Sequence, residues 1–305
     1  MGLVRLVLSA MVVCLLGSGA AASQPQGFAR PGDGFAALAA AARAHDEQRL
    51  LRILGTEGRR LVRSGDPVAD RAALDRFATA YEAAREIVEA APDRQVLLVG
   101  ADRWPLPIPM VRRGGTWRFD PRAGERELIG RRIGRNELDT IQTLRAIVDA
   151  QDDYARTAGR DGAFSAYARH FFSSPGTRDG LYWTTARGEP PSPLGSLVAA
   201  AGAAGYAAGS PDGAPRPLHG YLYRILEAQG DDAPGGAMRY VVNDRMIGGF
   251  GVIAWPARYG STGVKTFIVS HSGVVHERDL GAETARLAPA ITAYDPGPAW
   301  LRVGD

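Results

Sequence analysis

Glu125 to Arg156, ERELIGRRIGRNELDTIQTLRAIVDAQDDYAR, is the stretch that decides the fold. Ile129, Ile133, Ile141, Leu144, Val148, Gln151 and Ala155 recur mostly in steps of three and four, the spacing that lines one face of an α-helix. A single long helix is expected, bent near its start by Gly130 and Gly134 and ended by Gly159-Arg160-Asp161-Gly162. Such a stripe needs an apolar surface to cover it. Strand-like runs supply one at Gly220–Glu227, Ile247–Trp255, Val264–Ser270 and Val274–Arg278. His271-Ser272-Gly273 makes the hairpin turn between the last two. Residues 122–305 are therefore expected to form a domain in which a long helix packs on an antiparallel sheet.

Toward the N-terminus the pattern is helices first, then strands. Helical segments are expected at Phe35–Arg43, at Glu47–Leu54 with Gly55 as its stop, and at Ala69–Ala83, where Leu74, Phe77, Ala78 and Tyr81 share a face. Gln95–Val99 is a strand-type run, and Leu106, Ile108 and Met110 alternate with prolines as an edge strand does. Arg112-Arg113-Gly114-Gly115 turns the chain into Thr116–Asp120. This makes residues 35–121 an α+β domain whose pattern resembles the cone-like nuclear-transport-factor or cystatin type. Between the two domains, Phe164–Phe171 reads as a short helix. Pro175–Gly220 is dense in Gly, Pro and Ser, with an Ala-rich helix at Leu194–Ala204.

The first residues give an address. Arg5 precedes the apolar run Leu6–Leu16, then Gly17-Ser18-Gly19 and Ala20-Ala21-Ala22-Ser23. That is the layout of a signal peptide, residues 1–22, cut after Ala22, and it is too short to span a bilayer. Ser23–Gly34, rich in Pro, Gly and Gln, is expected to be a flexible leader. The implied location is periplasmic or secreted, with no membrane anchor once the signal is removed. Cys14 lies inside the apolar run and is the only cysteine. The exported chain thus has no disulfide, thiolate nucleophile or Cys-ligated zinc. The 36 Lys and Arg against 33 Asp and Glu are interleaved without a basic run, so nucleic acid is not an expected partner.

No pattern that carries chemistry stands out. His45, His170, His219, His271 and His276 include no i, i+4 pair, the spacing of a helical zinc site. A Gly-x-Ser-x-Gly elbow and a phosphate loop are missing from the chain. Asp152, Asp153 and Asp161 lack the alternating ligands and closing Glu of a calcium loop. Accordingly no catalytic residue, metal or cofactor is expected. The aromatics Tyr182, Trp183, Tyr206, Tyr221, Tyr223 and Trp255 fit either core packing or a stacking platform for glycans.

Several ordered motifs carry a resemblance. They are Ile133-Gly134-Arg135-Asn136-Glu137-Leu138, Asp179-Gly180-Leu181-Tyr182-Trp183, Gly188–Gly195, His219-Gly220-Tyr221-x-Tyr223-Arg224, Met246–Phe250 and Pro256-Ala257-x-Tyr259-Gly260-x-Thr262-Gly263-Val264-x-Thr266-Phe267. Together they resemble a bacterial secreted family, domain-of-unknown-function family 2950, from about residue 35 onward. The long helix with Tyr154, the Gly-rich middle and the Tyr259–Phe267 strand are also similar to the globular head of type IV pilin-like proteins. A pilin also needs a Gly-Phe-x-x-x-Glu processing site, and after Gly34-Phe35 the expected Glu is Ala39. Polymerisation as a pilus subunit is therefore not expected. The resemblance implies a non-enzymatic envelope protein that binds or scaffolds another protein, with Tyr182, Trp183, Tyr259, Thr262 and Phe267 as its ligand or partner surface. The alternative is a protein binding a small ligand or cell-wall glycan, or a weak hydrolase. It would use a pocket in the N-terminal domain near Trp104 and Trp117.

Overall fold

The computed structural model describes residues 24–162, 164–207 and 216–304. The signal peptide expected over residues 1–22 lies outside the described residues. The fold is α+β. Helices α1 (Pro31–Arg43), α2 (Glu47–Leu54), α3 (Arg59–Val62) and α4 (Pro67–Ala83) come first. Strands β1 (Arg85–Ala91), β2 (Arg94–Val99), β3 (Trp104–Pro105), β4 (Met110–Arg113) and β5 (Thr116–Phe119) follow. They form an antiparallel sheet in the order β1-β2-β4-β5, with β3 beside β2. Gly114 and Gly115, at φ 59° and 78°, make the β4–β5 turn, where both central residues need positive φ. Phe35, Leu50, Ile53, Leu97, Met110 and Phe119 are buried between helices and sheet.

Helix α5 (Pro121–Arg156) is 36 residues long, about 54 Å at 1.5 Å per residue. Asp120 caps it and Pro121 stands in its first turn, so it starts four residues before Glu125, where the expected helical stretch begins. Leu128 packs on the N-terminal core, while Ile141, Leu144, Ile147, Val148 and Tyr154 belong to a second one. One rigid element therefore enters both cores. Helix α5 is followed by short strands β6 (Arg160–Asp161), β7 (Phe164–Ser165), β8 (His170–Phe172) and β9 (Gly180–Tyr182), then helix α6 (Gly195–Ala203).

The second sheet, in the order β10-β15-β16-β17-β18, is antiparallel throughout. Its members are β10 (Tyr221–Leu226), β15 (Gly251–Pro256), β16 (Lys265–Ser270), β17 (Val275–Asp279) and β18 (Leu301–Arg302). Two hairpin-like pairs, β11 (Ala228–Gln229) with β12 (Met238–Arg239) and β13 (Val241–Val242) with β14 (Arg245–Met246), sit between β10 and β15. Val252, Ala254, Phe267 and Val269 share the core of α5. Ile253, Trp255 and Ile268, from the opposite face, share a smaller core with Ala288 and Tyr294 of the C-terminal segment, which includes α7 (Thr284–Leu287). Both faces of β15 are covered, hence its unbroken apolar run. Among the described residues no helix is long and apolar enough to cross a membrane.

Two expectations are corrected. The leader is not loose: Phe28 exchanges backbone hydrogen bonds of 2.8 and 2.9 Å with Trp117, and Gln26 N donates to Arg52 O at 3.1 Å. Phe28 packs edge-on to Phe119, so this segment caps the outer edge of β5, and α1 begins at Pro31 instead of Phe35. Phe164–Phe171 holds no helix. Gly162 turns the chain at φ 57°, Tyr167 pairs with Met246, and the buried Gln151 amide bonds both backbone groups of Ala168 at 2.8 Å. Backbone groups engaged across the fold are not free to close a helical turn. A strand not expected from the sequence, β1, also appears.

Because α5 is shared, the two cores should unfold together. Leu144→Ala and Phe119→Ala, each fully or almost fully buried, should each cost about 3 kcal/mol. Both should lower the midpoint of one urea transition followed by circular dichroism. Two transitions, each moved by one variant only, would contradict the shared-helix account.

Candidate functional site

The densest polar arrangement lies where α5 passes from one core to the other. Asp66 sits just before α4 and is buried. Its Oδ1 accepts from the Val68 and Ala69 N–H groups at 3.1 and 3.0 Å, an N-cap. Its Oδ2 accepts from Gly220 N at 2.7 Å and from the Tyr206 hydroxyl at 2.8 Å. The cap of an N-terminal helix is thus a bond to the first residues of the C-terminal sheet. Burial pushes the Tyr206 hydroxyl well above its ordinary value, and the Asp66 carboxylate adds to the rise. Nearby, Ser261 Oγ donates to Ser64 O at 3.2 Å, and the Arg258 guanidinium to Arg63 O at 3.0 Å.

On α5, Asn136 Nδ2 donates to Thr262 O at 2.8 Å. The next residue, Glu137, accepts at Oε1 from Val264 N and Lys265 N at 2.9 and 3.0 Å. Tyr221 Oη donates to Lys265 O at 2.9 Å and lies 3.5 Å from Glu137 Oε1. Burial first, and Glu137 second, raise the Tyr221 hydroxyl far above its ordinary value, so it remains a neutral donor. Two glycines make this approach possible. A Cβ on Gly263 would lie 2.0 Å from Tyr221 Oη, and one on Gly220, at φ 76°, 2.5 Å from Asn136 Nδ2.

Three sequence motifs therefore meet in space: Asn136-Glu137, His219-Gly220-Tyr221 and Tyr259–Val264. All three belong to the ordered motifs that carry the family resemblance in the sequence. What the arrangement does is structural. Asp66 and Glu137 Oε1 accept from backbone N–H groups at the start of α4, ahead of β10 and at the start of β16, which satisfies donors left over at those ends. His219 lies 3.7 Å from Asp139 at the rim of the cluster. Among the described residues no three His, Cys, Asp or Glu side chains gather as a metal site would require.

The residues expected at a partner surface are not brought together. Thr262 and Phe267 are fully buried. Thr262 Oγ1 accepts from Arg258 N at 3.0 Å and closes a turn, while Phe267 packs on Tyr221 at 5.8 Å between ring centres. Neither is available as a surface: Phe267 faces the α5 core from β16, and Thr262 is enclosed in the loop that precedes the strand. Tyr259 reaches Asp279 at 3.4 Å. Tyr182 packs edge-on against Phe172, and Trp183 lies beneath the Arg178 guanidinium. The glycan platform does not form either, since Tyr221 and Trp255 are buried on opposite faces of the sheet.

Trp117 is buried in the N-terminal core, and Trp104, packed beside it, carries the Arg131 guanidinium over its ring. Both tryptophans are therefore packing residues, and the inner face of that sheet is filled. Two surface hollows stand out among the described residues, both on the C-terminal sheet. The larger, about 400 Å³, is lined by Leu222, Arg224, Trp255, Pro256, Ala285 and Pro289. Arg224 donates to Pro289 O at 2.9 Å and to Ile291 O, and lies over Trp255, so its guanidinium already holds the C-terminal segment down.

Fold and cluster together define an α+β protein whose two larger cores meet at a junction held by the carboxylates of Asp66 and Glu137. The chain belongs to the family described as "Protein of unknown function (DUF2950)", whose model matches residues 25–303. No curated protein and no solved structure matches it, and the similarity to pilin heads gains no support from these comparisons.

Removing the Glu137 carboxylate leaves two backbone donors unmet. Glu137→Ala should cost about 3 kcal/mol and Glu137→Gln, which keeps an acceptor, about 1 kcal/mol, read by urea denaturation. Equal stability of both variants and the parent would remove the junction from the account.

Proposed function

We propose that this chain is a non-enzymatic protein of the bacterial envelope, periplasmic or secreted after removal of residues 1–22, that binds another protein. The observation that carries the reading is a group of exposed apolar side chains on neighbouring hairpins. Phe164 is 63% exposed, Val242 48% and Ile247 42%. Their hairpins are tied together by the Arg245–Asp161 ion pair at 3.2 Å and by the Tyr167–Met246 bridge. Behind them Tyr240, Met246 and Phe250 are fully buried. Apolar groups held out on a rigid base, rimmed by Asp161, Arg169, Asp244 and Arg245, have the composition of an interface: an apolar centre with a polar rim.

A second reading, a small-ligand or glycan site, is favoured only by the hollow over Trp255. Its wall and floor are largely apolar, and its one cation is engaged by backbone carbonyls.

A photo-crosslinking residue placed at 164 or 242 in living cells should give a discrete adduct, whereas one at the exposed Arg113 should not. Phe164→Asp should weaken capture from position 242 by about tenfold or more. Fractionation should recover the chain outside the cytoplasm with Ser23 at its N-terminus. Turnover of cell-wall material by the purified chain, lost on a single polar substitution, would overturn the reading. So would adducts of equal yield at all three positions.

A further inference from the structure

The N-terminal sheet has two edges, and only one is covered. Phe28 caps the outer side of β5. At the other end, β1 has β2 on its inner side and, among the described residues, no strand on its outer side. Six of its seven residues are exposed and only Val88 is half-buried. Such an edge is a template for another strand.

We propose that the occupant is a second copy of this chain. Two β1 strands would pair antiparallel about a two-fold axis through Ile87, joining two N-terminal sheets into one. The side chains choose both the partner and the register. Arg85 and Ile87 lie opposite Val99 and Leu97, two buried core residues, so Arg85, Ile87 and Glu89 share the face covered by helices. Arg85 lies over the Tyr81 ring of α4 at 5.0 Å, consistent with that face. Ile87 is 40% exposed and ends the apolar face at the sheet's edge.

In a two-fold antiparallel pair, keeping the helices of both copies on one side requires opposite residues to share a face. A centre at Glu86 then sets Glu86 against itself. A centre at Val88 sets Ile87 against Glu89. The centre at Ile87 sets Arg85 against Glu89 twice and covers Ile87 with its own counterpart. Glu86, on the other face, is already held by Arg103 of the same chain. A bulge falls between Glu89 and Ala91, which leaves Arg85–Glu89 as the regular segment, the same five residues that the register uses. The charges that would repel an arbitrary strand are complementary to themselves in this one arrangement. Pairing is isologous and therefore closes at two copies.

The test is a charge swap on the mature chain, with mass measured by light scattering and sedimentation between about 1 and 100 µM. The parent should be a dimer. Arg85→Glu and Glu89→Arg should each weaken dimerisation by about tenfold or more while keeping the parent circular dichroism. The double variant R85E/E89R should dimerise as the parent does. Mixing the two single variants should give a heterodimer, since every opposed pair is again of unlike sign. A parent that stays monomeric would overturn the proposal, as would single variants that remain dimers or natively folded variants that the swap and the mixture fail to rescue. Uptake of a foreign extended segment at β1 in place of a second copy would overturn it too.

Discussion

The carboxylate of Glu137, halfway along a 36-residue helix, holds the two backbone N–H groups at which the 258–264 loop becomes the central strand β16. The rest of the architecture depends on that constraint. A helix of this length is stiff, and its two ends lie in different cores. Fixing its midpoint to the sheet fixes the orientation of one core relative to the other. Asp66 acts from the other side, joining the cap of α4 to the start of β10. Between them, two acidic groups satisfy the backbone donors of three elements distant in sequence.

The polar groups gathered at this junction are engaged with one another and with the backbone. A general base needs a lone pair free to take a substrate proton. Here both oxygens of Asp66 and Oε1 of Glu137 accept from backbone N–H groups, with the Tyr206 hydroxyl as a further donor to Asp66. What remains for interaction is the periphery: the hairpin tips with Phe164, Val242 and Ile247, and the open edge of β1. Both present backbone or apolar groups, the materials of recognition between proteins.

Much of the fold was legible in the sequence because its elements obey single periods. Helix α5 shows the three-and-four spacing, β15 an unbroken apolar run, and the β4–β5 turn a Gly-Gly pair. The misreadings share one physical origin, dependence on distant partners. Strand β1 shows no alternation because six of its seven residues are exposed and charged residues stand on both of its faces. Residues 164–171 resembled a helix until the Gln151 amide and Met246 backbone claimed their hydrogen bonds. The surface residues Thr262 and Phe267 were assigned from a motif, yet the motif belongs to the junction, where glycines permit close approach and the neighbouring side chains are buried. Asp66 was missed entirely. Its local role, a helix cap before Pro67, is ordinary, and nothing nearby in sequence shows its bond to Gly220.

The sharing of α5 also bears on how the chain is made. The N-terminal core draws on the chain up to the first turns of the helix, but the distal face with Ile141, Leu144, Ile147 and Val148 is covered in part by Leu181, Leu194 and Tyr221 and completed by Val252, Ala254, Phe267 and Val269, roughly a hundred residues later in synthesis. Until then the apolar stripe of α5 lacks part of its cover. The helix that joins the two cores is therefore also among the last elements whose packing is complete.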